Sequence, residues 1–344
     1  MNINPMLAQT GTERDLQDPS KAAELKLDGT RAWIVKDEET GIFGKPREGI
    51  SSDYTDRLAE VRDAIPGIPA GSFILDVEIV YFDQAGRSIL EGSQRRCSTE
   101  SVVKQREYQR TWPIQALAFD IIYLDGKQLH NYTWEARKQL LQDLLKESLQ
   151  RGIVALPHTI DNKQEFYNKV VARGEEGVMV KDLKGRYEEG RRSHSWLKVK
   201  NWNVERTLVV GYTEGRGERA GFFGSLILAQ PGPDGHLKYM GKVGSGFNKA
   251  EIRRIYRILK ASETDSPLVD ARNGAKKLID HTPVKVNLEI EVRFQETTKR
   301  GIFRIPTVRK DDHGQNRIFY DSKTIEAKPR PTNLLDMLKE LAEK

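Results

Sequence analysis

Lys26 is the residue of this chain whose surroundings best suit nucleophilic chemistry. It lies in the segment AELKLDGTR, where Asp28-Gly29 predicts a sharp turn that leaves the lysine exposed beside it. An ordinary lysine has a pKa of about 10.4 and is a poor nucleophile at neutral pH unless neighbouring cations or desolvation lower that value. Lys26 therefore needs positively charged neighbours, because a lysine without them is simply a solvated side chain.

A pair of lysines later in the chain can supply that charge. In RRSHSWLKVK, Trp196, Lys198 and Lys200 share one strand face, while Leu197 and Val199 pack behind them. Two lysines side by side on a strand repel each other unless an anion lies between them. The phosphate of a nucleotide would satisfy both.

Three carboxylates fit the same chemistry. Asp76 and Glu78 emerge together from one face of the strand predicted over residues 73–82, and Glu176 precedes the apolar strand GVMVKD. Carboxylates at strand faces or ends, away from obvious partners, suit magnesium held through water and phosphate, or a ribose hydroxyl. Each is an ordinary solvated side chain when taken alone, so the prediction depends on the set.

Strands and helices interleave through the part of the chain that carries these residues. Leucines at helical spacing predict a helix over residues 134–149, and Asp161 with Gln164 predicts the cap of a second helix that stops at Gly174. This interleaving indicates an α/β or α+β body up to about residue 202.

The remaining sequence predicts a smaller, mostly β domain. Short strands alternate with glycine-rich turns, PGPDG has the Asp-Gly signature of a hairpin, and one amphipathic helix covers residues 252–259. Several strands with one helix suit a Greek-key barrel of the OB type. We therefore predict domains at residues 1–202 and 203–330, followed by a short helical tail at 331–344.

Composition excludes several classes of protein. The net charge of +6, from 56 basic and 50 acidic residues, favours a polyanionic partner only weakly. No apolar run approaches the roughly 20 residues of a membrane-spanning helix, and the first thirty residues lack the apolar stretch of a secretory signal. One cysteine, Cys97, forms neither an internal disulfide nor a four-cysteine zinc site. We expect a monomer that is cytoplasmic and not secreted.

Six segments resemble, in order, the motifs of the covalent nucleotidyltransferases. They are KLDG at 26–29, LDVEIV at 75–80, FDIIYLDG at 119–126, EEGVMVKD at 175–182, SWLKVK at 195–200 and FRIPTVRKDD at 303–312. A lone KxDG would be weak support, but six segments in order across nearly the whole chain are specific. Within that superfamily the chain is most similar to ATP-dependent DNA ligases of the minimal two-domain form, because RRSHSWLKVK, AGFFGSLIL, GKVGSGF and PMLA are closer to these than to RNA ligases or capping enzymes.

The resemblance implies a fold and an activity. The fold would be α+β, with a nucleotidyltransferase domain of ATP-grasp-like antiparallel sheets and helices, followed by an OB-fold β-barrel. Lys26 would attack the α-phosphate of ATP and carry AMP, which would pass to the 5′-phosphate of a nick in double-stranded DNA before the 3′-hydroxyl displaced it. ATP and Mg²⁺ are implied as cofactors, with Mn²⁺ as a substitute, and nicked duplex DNA as the partner.

The resemblance also implies a role for each matched residue. Those at the base and sugar would be Glu24 on the adenine edge, Phe119 stacked on the ring, and Arg31 and Glu78 at the ribose and nearby phosphate. Those at the reacting phosphate would be the catalytic residues Lys26, Asp28, Lys198 and Lys200, with a further contact from Arg192 and with Glu78 and Glu176 at the metal. Those orienting the leaving pyrophosphate, in the last motif, would be Arg304, Arg309, Lys310 and Asp311. The domain that carries this last motif would act in the first step only, so it would have to swing on a hinge near residues 200–206.

One departure and two alternatives stay open at this stage. The family usually has a Ser-Arg pair where this chain reads IFGKPREG, so either Lys45 or Arg47 would replace the arginine. The first alternative is an RNA ligase or a capping-type nucleotidyltransferase. The second is a non-catalytic protein that binds nicks or single strands, which the intact set of lysines and carboxylates argues against.

Overall fold

The computed structural model describes residues 4–38, 40–46, 51–146, 152–271, 278–285, 288–298, 300–311 and 313–320. The chain separates into two units, Met1–Asn201 and Trp202–Lys344. The prediction placed this boundary one residue later. The helical tail predicted at 331–344 lies outside the described residues.

Two β-sheets make up most of the first unit. Their strands are β1 (Leu7–Thr10), β2 (Lys21–Leu25), β3 (Thr30–Lys36), β4 (Gly41–Gly44), β5 (Phe73–Tyr81), β6 (Ile114–Leu124), β7 (Lys127–Gln128), β8 (Ile153–Ala155), β9 (His158–Thr159), β10 (Gly177–Asp182) and β11 (Arg192–Lys200). One sheet has the order β1-β11-β10-β2-β9, and the other has the order β4-β3-β5-β6-β7 with β8 beside β6. Most pairs are antiparallel, but β1 with β11 and β6 with β8 are parallel, which the expectation of antiparallel sheets missed.

The strand predicted around residue 76 is confirmed as β5, and its alternation positions the site. Phe73, Leu75 and Val77 are fully buried in the main core of the unit. Because successive side chains point to opposite faces of a strand, Asp76 and Glu78 emerge on the other face of β5. This face is directed towards the sheet that contains β2, β10 and β11. Burial of one face thus fixes the direction of both carboxylates.

The helices of this unit are α1 (Ala59–Arg62), α2 (Leu90–Ser98), α3 (Val102–Thr111), α4 (Trp134–Leu145) and α5 (Lys163–Ala172). The predicted start of α4 is confirmed, and the side chain of Thr133 caps it by accepting a hydrogen bond from Ala136 N. The cap predicted for α5 from Asp161 and Gln164 is wrong. The helix follows Asn162, which has a φ of +53° and makes no side-chain cap; asparagine tolerates this left-handed conformation better than most residues do.

The second unit is a seven-stranded sheet with one long helix. It comprises β12 (Asn203–Glu214), β13 (Phe223–Pro231), β14 (Leu237–Val243), α6 (Lys249–Ala261), β15 (Thr282–Pro283), β16 (Leu288–Phe294), β17 (Thr307–Val308) and β18 (Ile318–Tyr320). The order is β14-β13-β12-β16-β17, with β15 beside β12 and β18 beside β16. The hairpin predicted at PGPDG joins β13 to β14, with Gly235 at a φ of +77°. In the part of the chain that is described, no helix is long and apolar enough to cross a bilayer.

Candidate active site

A pocket in the first unit collects most of the predicted site residues. Strands β2, β10 and β11 line it from one sheet, and β3, β5 and β6 line it from the other. The predicted residues among its lining are Glu24, Lys26, Arg31, Glu78, Phe119 and Lys198. Residues that are far apart in sequence are therefore brought together by the facing of two sheets.

The KLDG segment carries the chain from one of these sheets to the other. It connects β2 to β3, and the two strands do not pair. The backbone N–H of Lys26 donates to Gly177 O at 2.9 Å, and that of Asp28 donates to the hydroxyl of Ser88 at 3.1 Å. A Cβ on Gly29 would lie only 2.5 Å from the backbone oxygen of Ile79, so glycine is required there. The nucleophile candidate thus stands on a backbone held from both sides.

Lys26 contacts a carboxylate. Its Nζ lies 2.5 Å from Glu176 Oε2, and Lys200 Nζ lies 3.0 Å from Glu176 Oε1. Burial acts to raise the pKa of Glu176, but the two lysines outweigh burial and lower it. The side chain of Lys26 is only 19% exposed, so the expectation of an exposed lysine is wrong, as is the expectation that Glu176 lacks partners.

Lys198 lies near this group. Among the described residues, none forms an ion pair with its ammonium group. Burial lowers the pKa of Lys198, and so do its cationic neighbours, Lys200 first among them. A phosphate would compensate this charge, as the sequence predicted for the two lysines of β11.

Glu78 fits a cation. Burial raises the pKa of this carboxyl to about 8, although Lys26 and Arg31 act to lower it. A desolvated carboxylate in this state gains from a hard divalent ion that replaces its proton. Among the described residues, no group of three or more His, Cys, Asp or Glu side chains is placed to hold a metal. Any metal here would therefore depend on phosphate or water oxygens besides Glu78 and Glu176.

Asp76 has partners, contrary to the sequence prediction. Arg31 donates to both of its oxygens, at 2.8 and 2.6 Å, and the hydroxyl of Tyr187 donates to it at 2.8 Å. Arg31 also donates to Met6 O at 2.7 Å, and its guanidinium lies 5.3 Å from the centre of the Phe119 ring. Arg31 is therefore committed to the wall of the pocket, and a contact with ribose or phosphate stays a prediction.

Two lysines that flank Glu24 were missed by the sequence analysis. Glu24 is completely buried between Lys138 of α4, which donates to Oε1, and Lys181 of β10, whose Nζ lies 2.6 Å from Oε2. The available signal was the position of Lys138 on the apolar stripe of α4, between Trp134 and Leu141. A lysine at such a position needs a buried anion.

The other predicted residues of the first unit lie at its surface or outside the described part. Arg192 is exposed at the start of β11 and donates to Ala8 O at 2.6 Å. Lys45 is exposed just after β4, whereas Arg47 lies outside the described residues. The choice between these two as the substitute arginine stays open.

The last motif belongs to the second unit. Arg304 pairs with Glu296 at 2.9 Å and Arg309 pairs with Glu291 at 3.0 Å. The side chain of Asp311 accepts backbone hydrogen bonds within its own loop. Lys310 and Arg309 line a pocket of this unit together with Trp202, Arg293 and others. Their predicted part in orienting pyrophosphate stays a prediction.

Known proteins resemble both units. The family model "ATP dependent DNA ligase domain" matches residues 5–200, and the model "ATP dependent DNA ligase C terminal region" matches residues 219–311. The multifunctional non-homologous end joining DNA repair protein LigD of Mycobacterium tuberculosis is 31% identical over 303 residues, which are 88% of this chain and 37% of LigD. DNA ligase 2 of Korarchaeum cryptofilum is 31% identical over 305 residues, which are 83% of this chain and 50% of that protein. The chain thus spans half or less of the length of these relatives.

A solved structure extends the comparison to three dimensions. A mycobacterial DNA ligase D complexed with ATP has a TM-score of 0.50 and 28% identity to this chain. The match covers 96% of this chain and 99% of that one.

Proposed function

Since the chain belongs to the family of ATP-dependent DNA ligases, we propose that it uses ATP to seal nicks between a 3′-hydroxyl and a 5′-phosphate in duplex DNA. The observation that supports this most is that Lys26 lines one pocket with Lys198, Glu24 and Phe119. Lys26 also forms a cluster with Glu176 and Lys200. A lysine nucleophile, cations for phosphates and a slot for a base are the parts that nucleotidyl transfer needs.

The first step joins Lys26 to AMP. Nζ attacks the α-phosphorus as the neutral amine, the bond to the bridging oxygen of the β-phosphate breaks, and pyrophosphate leaves with that electron pair. The proton that Nζ releases on forming the phosphoramidate passes to water. Lys198 and Lys200 stabilise the negative charge on the α-phosphate, because fixed cations in a partly desolvated pocket need no reorganisation. Mg²⁺ at Glu78 and Glu176, or Mn²⁺ in its place, would supply positive charge against the triphosphate.

The next two steps use the same residues. AMP passes from Lys26 to the 5′-phosphate of the nick, and the 3′-hydroxyl then displaces AMP as the phosphodiester forms. We propose that the second unit is an OB-type barrel whose residues Arg304, Arg309, Lys310 and Asp311 orient the leaving pyrophosphate in the first step. Binding to nicked DNA through phosphates would weaken steeply with salt. We expect the protein to be a monomer that is located in the cytoplasm or associated with DNA.

Covalent labelling tests the proposal. The protein, incubated with α-labelled ATP and Mg²⁺, should gain the mass of AMP on Lys26 and should seal a nicked DNA duplex. Lys26→Ala should lose both the label and the sealing, whereas Lys184→Ala, at an exposed lysine of the same unit, should keep both. Labelling by GTP would favour a capping-type nucleotidyltransferase. Sealing of nicked RNA alone would favour an RNA ligase. Nick sealing by protein that stays at its unmodified mass would refute the mechanism.

A further inference from the structure

The base end of the pocket contains a buried hydrogen-bond acceptor. Glu24 is 1% exposed and lines the pocket beside Phe119 and Lys181. Its Oε1 accepts a hydrogen bond from Lys138. Its Oε2 forms an ion pair with Lys181 Nζ at 2.6 Å. Since each oxygen of an ionised carboxylate has two acceptor sites, Oε2 can accept one further hydrogen bond from a ligand in the pocket.

Lys138 reaches this carboxylate from behind. It belongs to α4, is 2% exposed, lies 5.7 Å from the centre of the Trp134 ring and is not among the residues that line the pocket. Lys138 therefore does not contact a nucleotide. Lys138 instead holds the carboxylate through Oε1, which fixes the direction of Oε2.

Building on the proposed function, we infer that Lys138 is a positioning residue that makes the pocket select adenine over guanine, by holding Glu24 with Oε2 towards the base. The exocyclic amine of adenine is a donor, whereas guanine carries the acceptor O6 at the same ring position. Oε2 accepts from the amine and repels O6.

Lys181 provides the second hydrogen bond to the base. An ammonium group has three N–H donors. Lys181 uses one on the backbone oxygen of Phe119 at 3.1 Å and faces Glu24 with another, which leaves one for ring nitrogen N1 of adenine. Guanine carries a proton on N1, so its N1–H donor would face the N–H donor of Lys181. Its O6 acceptor would likewise face the acceptor Oε2 of Glu24. Without Lys138, the carboxylate of Glu24 can rotate and pair with Lys181 through both oxygens. The preference for adenine over guanine then decreases.

Nucleotide analogues separate this role from a merely structural one. The rate of Lys26 labelling is measured by mass with ATP, with GTP and with purine riboside triphosphate, which lacks the exocyclic amine. The native protein should prefer ATP to the analogue by about ten-fold or more, as for a hydrogen bond to a charged group. Lys138→Met should reduce this preference to about two-fold or less and should narrow the preference over GTP. Lys138→Arg keeps the positive charge, so it should retain part of the preference for ATP over the analogue and part of the preference for ATP over GTP.

The control variant is Gln139→Met, at an exposed position of the same helix, and it should keep the native preferences. A Lys138→Met protein that labels slowly but retains the full preference for ATP over the analogue would overturn the inference. Should Lys138→Met fail to fold, as judged by its circular dichroism melt, Lys138→Gln carries the same test with the same expected direction. If the native protein is not labelled by ATP at all, the proposed function fails; if it is labelled and the preference survives both variants, only this inference fails.

Discussion

A glutamate between two lysines occurs twice in the first unit, around Glu24 and around Glu176, and the two clusters differ in their exposure to solvent. We call them the base end and the phosphate end, after the proposed function. At the base end, Glu24, Lys138 and Lys181 have side chains that are 1%, 2% and 1% exposed. At the phosphate end, Glu176 is 14% exposed, and both Lys26 and Lys200 are 19% exposed. The same arrangement of charges therefore serves in two dielectric environments.

The difference in burial suits the difference in task. Charges that are fully removed from water interact strongly and tolerate no missing partner, so the base end holds a fixed geometry that suits recognition. Charges that are partly hydrated can exchange partners at modest cost. In the proposed mechanism Lys26 must leave Glu176 and bond to phosphorus, and partial exposure permits this exchange.

The largest expected effect tests the comparison through stability. Glu24→Gln leaves two buried ammonium groups without a counter-ion and should lower the free energy of unfolding by about 3–5 kcal/mol. Glu176→Gln, the matched change at the other end, should lower it by about 1 kcal/mol or less because solvent reaches its lysines. Urea unfolding of both variants measures the difference. Equal losses would show that burial does not distinguish the two ends.

The next effect concerns the rate of labelling. Lys198→Met removes a cation for which the described residues provide no ion pair, and it should slow labelling of Lys26 by about 10²–10³-fold, as when one donor to a developing anion is lost. The loss should be the same for ATP and for purine riboside triphosphate, since the contact that we propose for Lys198 is with phosphate and not with the base. Single-turnover labelling measures both rates, with Lys184→Met as the control. A loss that depends on the base would contradict a division of labour between the two ends.

The smallest effect is a dependence on pH. Burial and nearby cations lower the pKa of Lys198, so its charge is lost at a lower pH than that of an ordinary lysine. Arginine keeps its charge throughout this range. The labelling rate of Lys198→Arg relative to the native rate should therefore rise, by roughly three-fold, as the pH increases from about 7 towards the ordinary lysine value. A flat ratio, like that expected for Lys184→Arg, would show that Lys198 does not titrate there.

Local sequence patterns were enough to predict several elements of the fold. The alternation of β5 predicts both its buried face and the side from which Glu78 emerges, because a strand has a period of two. The Asp-Gly turn between β13 and β14 and the buried face of α6 are likewise local features. The start of α5 was wrong because a left-handed asparagine, and not a side-chain cap, begins that helix.

The sequence by itself determined the ordered series of motifs, the strand faces of their lysines and carboxylates, and the expectation of a lysine nucleophile beside other cations. Only the tertiary structure decided which charge pairs with which. Glu176 meets Lys26 across 150 positions, and Glu24 meets Lys138 across 114. Such partners are chosen by the packing of two sheets and a helix, which desolvates particular side chains together. The spacing of residues along the chain carries no record of that choice, because burial depends on elements that are distant in sequence.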